Sequence, residues 1–166
     1  PFLDGNGRIG RLLITLFLVK EGLLEKPLLY LSTFFETPKD LYYDNLSAIR
    51  TKNDMAQWIK YFLVGIEQTA SLAVETLSSI LEFKNETENL IRGTYRTRST
   101  NAIIVFHRLL ENPYTTIDQV ASLCGITFTS ASTLVKLLVK DGLLFEITGQ
   151  SRNRLFVCEQ YLNLFR

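Results

Sequence analysis

Apolar residues recur at helical spacing along most of the chain, and this pattern predicts a mainly helical protein. The stretch Arg8–Glu21 is apolar on nearly every face, as is typical of a helix buried at the centre of a bundle. A second, longer helix is expected from Met55, capped by Asp54, because apolar residues follow at steps of three and four as far as Leu81. Between these helices, the two prolines of residues 25–40 favour a turn, a short helix and a loop.

The pattern is interrupted over residues 82–101, which are polar and charged and include Gly93. Such a stretch is typical of a boundary between domains. We therefore expect two domains, one over residues 1–95 and one over residues 96–166.

The second domain has the sequence pattern of a winged helix-turn-helix. Residues 102–110 predict one helix, Thr116 caps a second, and either Thr127 or Thr129 caps a third. The following segment alternates around Gly149 like a β-hairpin. Helix, helix, turn, helix and hairpin is the order of a winged helix-turn-helix domain.

Composition excludes several classes of protein. A 46% hydrophobic and 21% charged chain of 166 residues is expected to fold, and its net charge of +1 argues against a general affinity for nucleic acids. Cys124 and Cys158 have neither metal-site spacing nor histidine neighbours, so we expect reduced thiols in a cytoplasmic protein. The longest apolar run, "LLITLFLV", is too short to span a bilayer, and no membrane partner is expected.

The first eleven residues, "PFLDGNGRIGR", contain the candidate chemistry. The glycines fit the dinucleotide fingerprint, but no strand precedes Gly5. A Walker loop would need a lysine and a hydroxyl where Arg11 and Leu12 stand, and a calcium loop would need glycine at Ile9. A simple turn that caps a buried helix remains open as the alternative.

The charges of this loop favour a metal–phosphate site. Arg8 and Arg11 lie one turn apart at the start of the predicted helix. The helix dipole disfavours cations there unless an anion lies between them and the backbone amides of the helix N-terminus. Asp4 could then hold a divalent metal that bridges phosphate groups. The backbone amides that would bind the same anion belong to Gly5, Asn6 and Gly7.

"PFLDGNGRIGR" resembles the signature loop of the Fic family, H-P-F-x-[DE]-G-N-G-R-x-x-R, at every position but the first. Most Fic proteins transfer AMP from ATP to a hydroxyl of a target protein. Residues 32–50 also resemble the segment that follows the loop in bacterial Fic proteins with a C-terminal winged helix. The resemblance implies a mainly α fold: part of a Fic-type helical bundle, beginning inside the catalytic loop, and then a winged helix-turn-helix domain with a small β-hairpin.

The resemblance also implies roles for individual residues, with ATP as substrate and Mg²⁺ as cofactor. Asp4 would bind Mg²⁺, Arg8 would hold the ATP phosphates, and Phe2 would anchor the loop. Arg11 would meet the γ-phosphate, and in autoinhibited members the matching arginine pairs with an inhibitory glutamate. Gly5, Asn6 and Gly7 would form a backbone cradle for the anion. Tyr42 and Tyr43 would contact the nucleotide base or the target protein, and packing in the core is an equal alternative for both.

The family's general base is the histidine that directly precedes the position of Pro1. His107, the only histidine of the chain, falls on an apolar helix of the second domain, where we expect a partly buried structural role. The helices and flap that precede the loop in the family also lie outside the chain. We therefore expect the chain alone to be inactive. The inhibitory motif [ST]-x-x-x-E-[GN] is not visible, since Ser32–Glu36 has the spacing but is followed by Thr37.

The second domain could contact DNA. From residue 100 onward the chain has six basic and five acidic residues, and this small net positive charge is weak support for DNA binding. A structural or protein-docking role is therefore favoured. The residues that DNA would meet are Ser130, Thr133 and Lys136 on the third helix and Arg152 and Arg154 in the hairpin.

Two functions follow as hypotheses. The first is the C-terminal part of a Fic-type protein adenylyltransferase. Its partner would be a target protein, and it could also form a homodimer. The second is a winged-helix DNA-binding regulator whose Fic half senses nucleotides or is vestigial. The residue before Pro1 separates them, since a histidine there supports catalysis.

Overall fold

Helices dominate the computed structural model, which describes residues 5–25, 31–36 and 39–165. Within these ranges the first four helices are α1 (Asn6–Lys20), α2 (Ser32–Glu36), α3 (Lys39–Lys52) and α4 (Met55–Thr94). A 3₁₀ turn (Arg96–Arg98), α5 (Ser99–Glu111), β1 (Tyr114–Thr116), α6 (Ile117–Cys124), α7 (Phe128–Lys140), β2 (Phe145–Glu146), β3 (Leu155–Val157) and α8 (Glu159–Asn163) follow. The mainly helical fold with a small antiparallel sheet, expected from the sequence, is confirmed.

Helices α1, α3 and α4 contribute side chains that pack around α2, and together they form the first core. Leu31 and Phe35 are almost completely buried at its centre. Apolar side chains of α1 and α4 share this cluster, because each helix presents residues at steps of three and four toward α2. They are Ile14 and Leu18 of α1 and Tyr61, Phe62, Ile66 and Ala70 of α4.

The expectation that α1 is buried all round is wrong. Only Thr15 is buried in this helix, whereas four large apolar side chains are about half exposed. The described elements cover only the side of α1 that carries Ile14 and Leu18, so the other apolar side faces outward. The exposed side chains are Leu12, Leu13, Leu16 and Phe17.

Helix α4 begins where the sequence predicts but extends further. The Asp54 carboxylate accepts the Gln57 backbone N–H at 2.9 Å, as an N-cap should. The helix then continues for 40 residues, through the polar stretch that suggested a boundary. Every fourth residue of that stretch is turned toward a second core, which α5, α6 and α7 form further along the chain, and this explains how a polar sequence stays helical. These residues are Phe83, Thr87 and Ile91, with Tyr95 directly after the helix.

The chain divides into two compact units, Pro1–Glu75 and Thr76–Arg166, called here the N-terminal unit and the C-terminal unit. This division falls inside α4, because the side chains of its last turns belong to the core of the C-terminal unit. The domain boundary near residue 95, which the composition suggests, stays a prediction.

Local capping chemistry accounts for the helices of the C-terminal unit. Thr116 and Gln119 form a reciprocal capping box at α6, and Gly125 ends that helix in the left-handed conformation with φ of 63°. Of the two candidates for the cap of α7, Thr127 is the one used, since its hydroxyl accepts the Ser130 N–H.

The hairpin of the C-terminal unit is part of a three-stranded antiparallel sheet with strand order β1-β3-β2. The third strand, β1, was not expected. Phe156 of β3 opposes Thr115 of β1 and Glu146 of β2, and its side chain is buried against the helices. The core residues that are at most 1% exposed include Ala102, Val105, Phe106, Leu109, Val120, Leu134, Val135, Leu138 and Leu144.

No single helix in the described ranges is long and apolar enough to cross a membrane. Only α6 and α7 taken together meet the length and composition of a span, and the two are bent by 113°.

Candidate functional site

The start of α1 has the backbone geometry expected of an anion-binding turn. Gly5 precedes the helix in the left-handed conformation with φ of 80°, which favours glycine, and its carbonyl accepts the Ile9 N–H. A Cβ at Gly7 would meet no atom of the described residues within 4 Å. Asn6, Gly7 and Arg8 are exposed at the same end. The described residues therefore leave the backbone at Gly7 open to an incoming group.

Arg11 is the most buried cation of the loop. Its side chain is only 15% exposed, and Nη2 lies 3.3 Å from Oε1 of Glu36 on α2. The buried Nε has no hydrogen-bond acceptor among the described residues. A planar guanidinium often binds a carboxylate or phosphate through two parallel N–H···O hydrogen bonds. This one retains donor capacity for a further acceptor.

An open cavity of about 540 Å³ adjoins Arg11. Gly7 and Arg11 of α1 line one side of it, and Phe35, Glu36, Tyr42, Tyr43 and Leu46 of α2 and α3 complete its wall. Arg8 and Arg11 together line a second cavity of about 280 Å³, whose wall also includes Thr15 and Ser32. The structure thus places Gly7, Arg8, Arg11 and the tyrosine pair around one region of the N-terminal unit.

The two tyrosines differ in their surroundings. Tyr42 packs its ring on Phe35 at 5.2 Å and on Trp58 at 5.8 Å, so it belongs largely to the aromatic core. Tyr43 contacts Tyr42 edge to face and is 53% exposed. Core packing, the alternative considered for both, therefore applies to Tyr42, while Tyr43 is accessible to a ligand.

The metal ligand expected at Asp4 lies outside the described residues, as does the loop anchor Phe2. In the described ranges no group of three acidic, histidine or cysteine side chains could hold a metal ion. Glu36 is the one described carboxylate that lines the two cavities, and it is paired with Arg11. A Mg²⁺ ion here would depend on Asp4 and on the phosphates themselves.

His107 belongs to the C-terminal unit and is about half exposed, more than expected of a structural histidine. Its Nε2 lies 2.8 Å from Oε1 of Glu88 on α4, so it ties α5 to α4. Lys84 and Arg92 also pair with Glu88, at 3.3 and 3.7 Å. The hydrogen bond from His107, followed by the contacts of Lys84, lowers the pKa of the Glu88 carboxyl below its ordinary value of 4.5.

We expect the Glu88 cluster to make the stability of the C-terminal unit depend on pH. A carboxyl whose pKa is lowered by folding stabilises the fold above its unfolded pKa, and this contribution is lost as pH falls through the lowered value. Between about pH 5 and pH 3, the melting temperature should therefore fall less steeply in Glu88→Gln than in the wild type.

Thermal melts by circular dichroism across this range test the prediction. Glu86→Gln is the matched control, since Glu86 is exposed on the same helix and has no ion pair among the described residues. Parallel pH profiles for the wild type and Glu88→Gln would contradict the prediction.

The residues suggested for DNA contact lie on the surface of the C-terminal unit. Ser130, Thr133 and Lys136 are exposed on α7, Arg152 is exposed in the hairpin loop, and Arg154 is partly buried beside it. Both cysteines are free thiols, as expected, and burial raises the pKa of each.

Sequence reasoning missed the ion pair between Glu36 and Arg11. Glu36 attracted attention only through its spacing from Ser32, and nothing in the local sequence indicates which arginine it meets. It also missed how tightly Phe35, one residue earlier, fixes α2 between the tyrosine pair and Trp58. The clustering of aromatic residues at 34, 35, 42, 43, 58, 61 and 62 was the available signal.

No protein-family model matches the chain. The likeness to Fic proteins therefore rests on the sequence motifs alone.

Proposed function

We propose that the N-terminal unit binds the phosphate groups of ATP and serves protein adenylylation of the Fic type. The observation that carries this proposal is Arg11, a largely buried guanidinium whose Nε meets no acceptor in the described part of the chain, one turn into α1 and next to an open cavity. Glu36 already pairs with Nη2, but a buried donor such as Nε is costly when no acceptor meets it. A triphosphate is an anion of sufficient charge and has many acceptor oxygens.

The two ends of the site suit different parts of a nucleotide. Arg8, Arg11 and the amides at the start of α1 would hold phosphates, where the helix dipole also favours negative charge. Tyr43 offers an exposed ring on the cavity wall, on which a base could stack. This division matches the roles that the motif resemblance implies.

The reaction would be an in-line substitution at the α-phosphate. A serine, threonine or tyrosine hydroxyl of the target attacks, pyrophosphate leaves, and a general base takes the hydroxyl proton. The resemblance assigns that base to a histidine before Pro1, and Mg²⁺ on Asp4 would neutralise phosphate charge. Arg8 and Arg11 would orient the chain of phosphates so that the leaving group lies opposite the attacking oxygen.

We propose that the C-terminal unit is a winged helix-turn-helix. The supporting observation is its order of elements, α5, β1, α6, α7, β2 and β3, with the Gly125 turn between α6 and α7. A three-residue turn region between two helices and a β-ribbon after the second is the arrangement of that class.

Titration calorimetry of the full chain with Mg·ATP tests the nucleotide site. Arg11→Ala should weaken binding by about 10- to 100-fold, because it removes a charge-assisted contact to phosphate worth roughly 1.5–3 kcal/mol. Glu36→Gln should strengthen binding, since the phosphate no longer competes with a carboxylate for Arg11.

Arg50→Ala is the matched control, since Arg50 is exposed on α3 of the same unit and does not line the cavity. Its affinity for Mg·ATP should equal that of the wild type. Absence of ATP binding, or equal losses in Arg11→Ala and Arg50→Ala, would refute the proposed site.

A further inference from the structure

One side of α4 carries a regular stripe of apolar residues, called here the α4 stripe. Its positions follow one another at steps of 4, 3, 4, 4, 3 and 4 residues. At 3.6 residues per turn, these steps keep all of the positions within about a quarter of the helix circumference. The α4 stripe consists of Ile59, Leu63, Ile66, Ala70, Val74, Leu77 and Leu81.

The α4 stripe is apolar throughout and mostly exposed. Five of its seven side chains are 49–63% exposed, whereas Ile66 and Ala70 are partly buried against the first core. A row of large exposed apolar side chains along about six turns of one helix is uncommon on a surface that meets only water. Such a row is typical of a surface that meets another protein.

The spacing of the α4 stripe is the same when it is followed in either direction. Ala70 is the midpoint, Leu63 and Leu77 lie seven residues to either side of it, and Ile59 and Leu81 lie eleven residues to either side. A two-fold axis sets identical surfaces against each other, and two antiparallel helices then pair residues at equal distances from the axis. An antiparallel second copy centred on Ala70 therefore sets every position of the stripe opposite another. A partner of unrelated sequence would not require this symmetry.

Two charges beside the α4 stripe fit the same arrangement. Lys60 and Glu82 lie near opposite ends of the stripe and on the same flank of the helix, ten and twelve residues from Ala70. In an antiparallel pair, Lys60 of each copy therefore comes near Glu82 of the other. Exposed pairs of this kind add little to affinity, but they favour one orientation of two helices over the other.

We propose that the α4 stripe is the interface of a reversible homodimer, in which two copies of α4 pack antiparallel about a two-fold axis at Ala70. Leu63 packs on Leu77 of the second copy, and Ile59 packs on Leu81 of the second copy. The small side chain of Ala70 lets the helices approach closely at the axis, toward the shorter end of the usual interaxial distances of about 8–10 Å. A repeat of eleven residues, from Ile59 to Ala70 and from Ala70 to Leu81, keeps the contact line nearly parallel to the helix axis.

The size of the α4 stripe sets the strength of this dimer. From residue 59 to residue 81 the helix rises about 33 Å, and with a helix diameter of about 10–12 Å the contact covers roughly 350 Å² of each copy. A standard stable interface buries about 800 Å² of each partner. The α4 stripe therefore supports a weak dimer that forms and separates with concentration.

Sedimentation equilibrium of the full chain between about 1 and 500 µM tests the association. The mass should rise with concentration from the 19.0 kDa of the monomer toward twice that value. Leu77→Glu should raise the dissociation constant by at least about 100-fold, because it would bury a carboxylate against Leu63 of the second copy.

Leu72→Glu is the matched control. Leu72 is 61% exposed on the same helix, but it lies nine residues from both Leu63 and Leu81 and so on the opposite side of α4. This variant should dimerise like the wild type, and circular dichroism checks that both variants fold. A wild type that stays monomeric at about 500 µM, or equal weakening in the two variants, would overturn the proposal.

Cysteine cross-linking tests the antiparallel register. Ala70→Cys should give a covalent dimer with oxidised glutathione, because the two thiols meet at the axis within the Cα separation of about 4.4–6.8 Å that a disulfide needs. Leu63→Cys alone should give none, since its two copies lie 14 residues, or about 21 Å, apart along the pair. An equal mixture of Leu63→Cys and Leu77→Cys should cross-link.

The wild type, with its native Cys124 and Cys158, gives the background of this experiment. Ala70→Cys that cross-links no more than the wild type would overturn the proposal. Leu63→Cys that cross-links to itself would also overturn it, because it would show a parallel pair. Since Mg·ATP binding is measured separately, failure here leaves the nucleotide site untouched.

Discussion

Replacing Phe35 with alanine is expected to lower the free energy of unfolding of the N-terminal unit by about 3–5 kcal/mol. Phe35 is 1% exposed and is the centre of the aromatic cluster, so the cavity left by its ring cannot be filled by small movements. Part of the loss comes from ring contacts, each worth about 0.5–1.5 kcal/mol beyond its buried area. The rings that contact it, at 5.2–6.5 Å, are those of Phe34, Tyr42, Trp58, Tyr61 and Phe62.

The chain offers a direct readout of this loss. Trp58 is the only tryptophan and stacks on Phe35 with ring centroids 6.5 Å apart, so its fluorescence reports the unfolding of this cluster. Tyr43→Ala removes an exposed ring of similar size from the neighbouring helix and should cost less than about 1 kcal/mol. A Phe35→Ala variant no less stable than Tyr43→Ala would show that the cluster does not hold α2.

Gly65→Ala is expected to destabilise the same unit, although alanine is the better helix former. A Cβ at Gly65 would lie 2.5 Å from two carbons of the Phe34 ring, which itself packs on Phe35 and Tyr61. Overpacking of this kind costs about 1–3 kcal/mol, whereas the gain in helix propensity is about 0.5–1 kcal/mol. We therefore expect a net loss of about 1–2 kcal/mol in denaturation followed by Trp58 fluorescence.

Gly10→Ala separates the cost of overpacking from the gain in helix propensity. Gly10 also lies within a helix, α1, but a Cβ there would meet nothing within 4 Å. This variant should gain up to about 1 kcal/mol from helix propensity alone. If both alanine variants were stabilising, the close packing of Phe34 on the backbone of α4 would be wrong.

Short-range chemistry is the part of the fold that could be predicted. The caps at Asp54 and Thr116 and the left-handed Gly125 depend on residues within one turn, so local sequence contains the whole signal. The helical course of residues 82–94 could not be predicted, because the positions turned toward the core fall only at every fourth residue and most of the other residues are polar. Hydrophobicity averaged over a window of the sequence does not detect such a narrow apolar stripe.

Contacts between distant residues account for what could not be predicted. Strand β1 is three residues long and exists only through pairing with β3, so no local pattern marks it. The same holds for the candidate site. Its arginines and glycines are adjacent in sequence and were identified from their spacing, but the meeting of Arg11 with Glu36 depends on how α2 packs.

The continuity of α4 decides how the protein can be divided for experiments. A fragment starting at residue 96, where composition suggests a boundary, would lack Phe83 and Ile91, which pack in the core of the C-terminal unit. Its newly uncovered apolar surface would favour aggregation over folding. A fragment starting at Thr76 keeps both residues and still begins within helical sequence, so an added N-cap such as serine or aspartate would be needed to stop the new end from fraying.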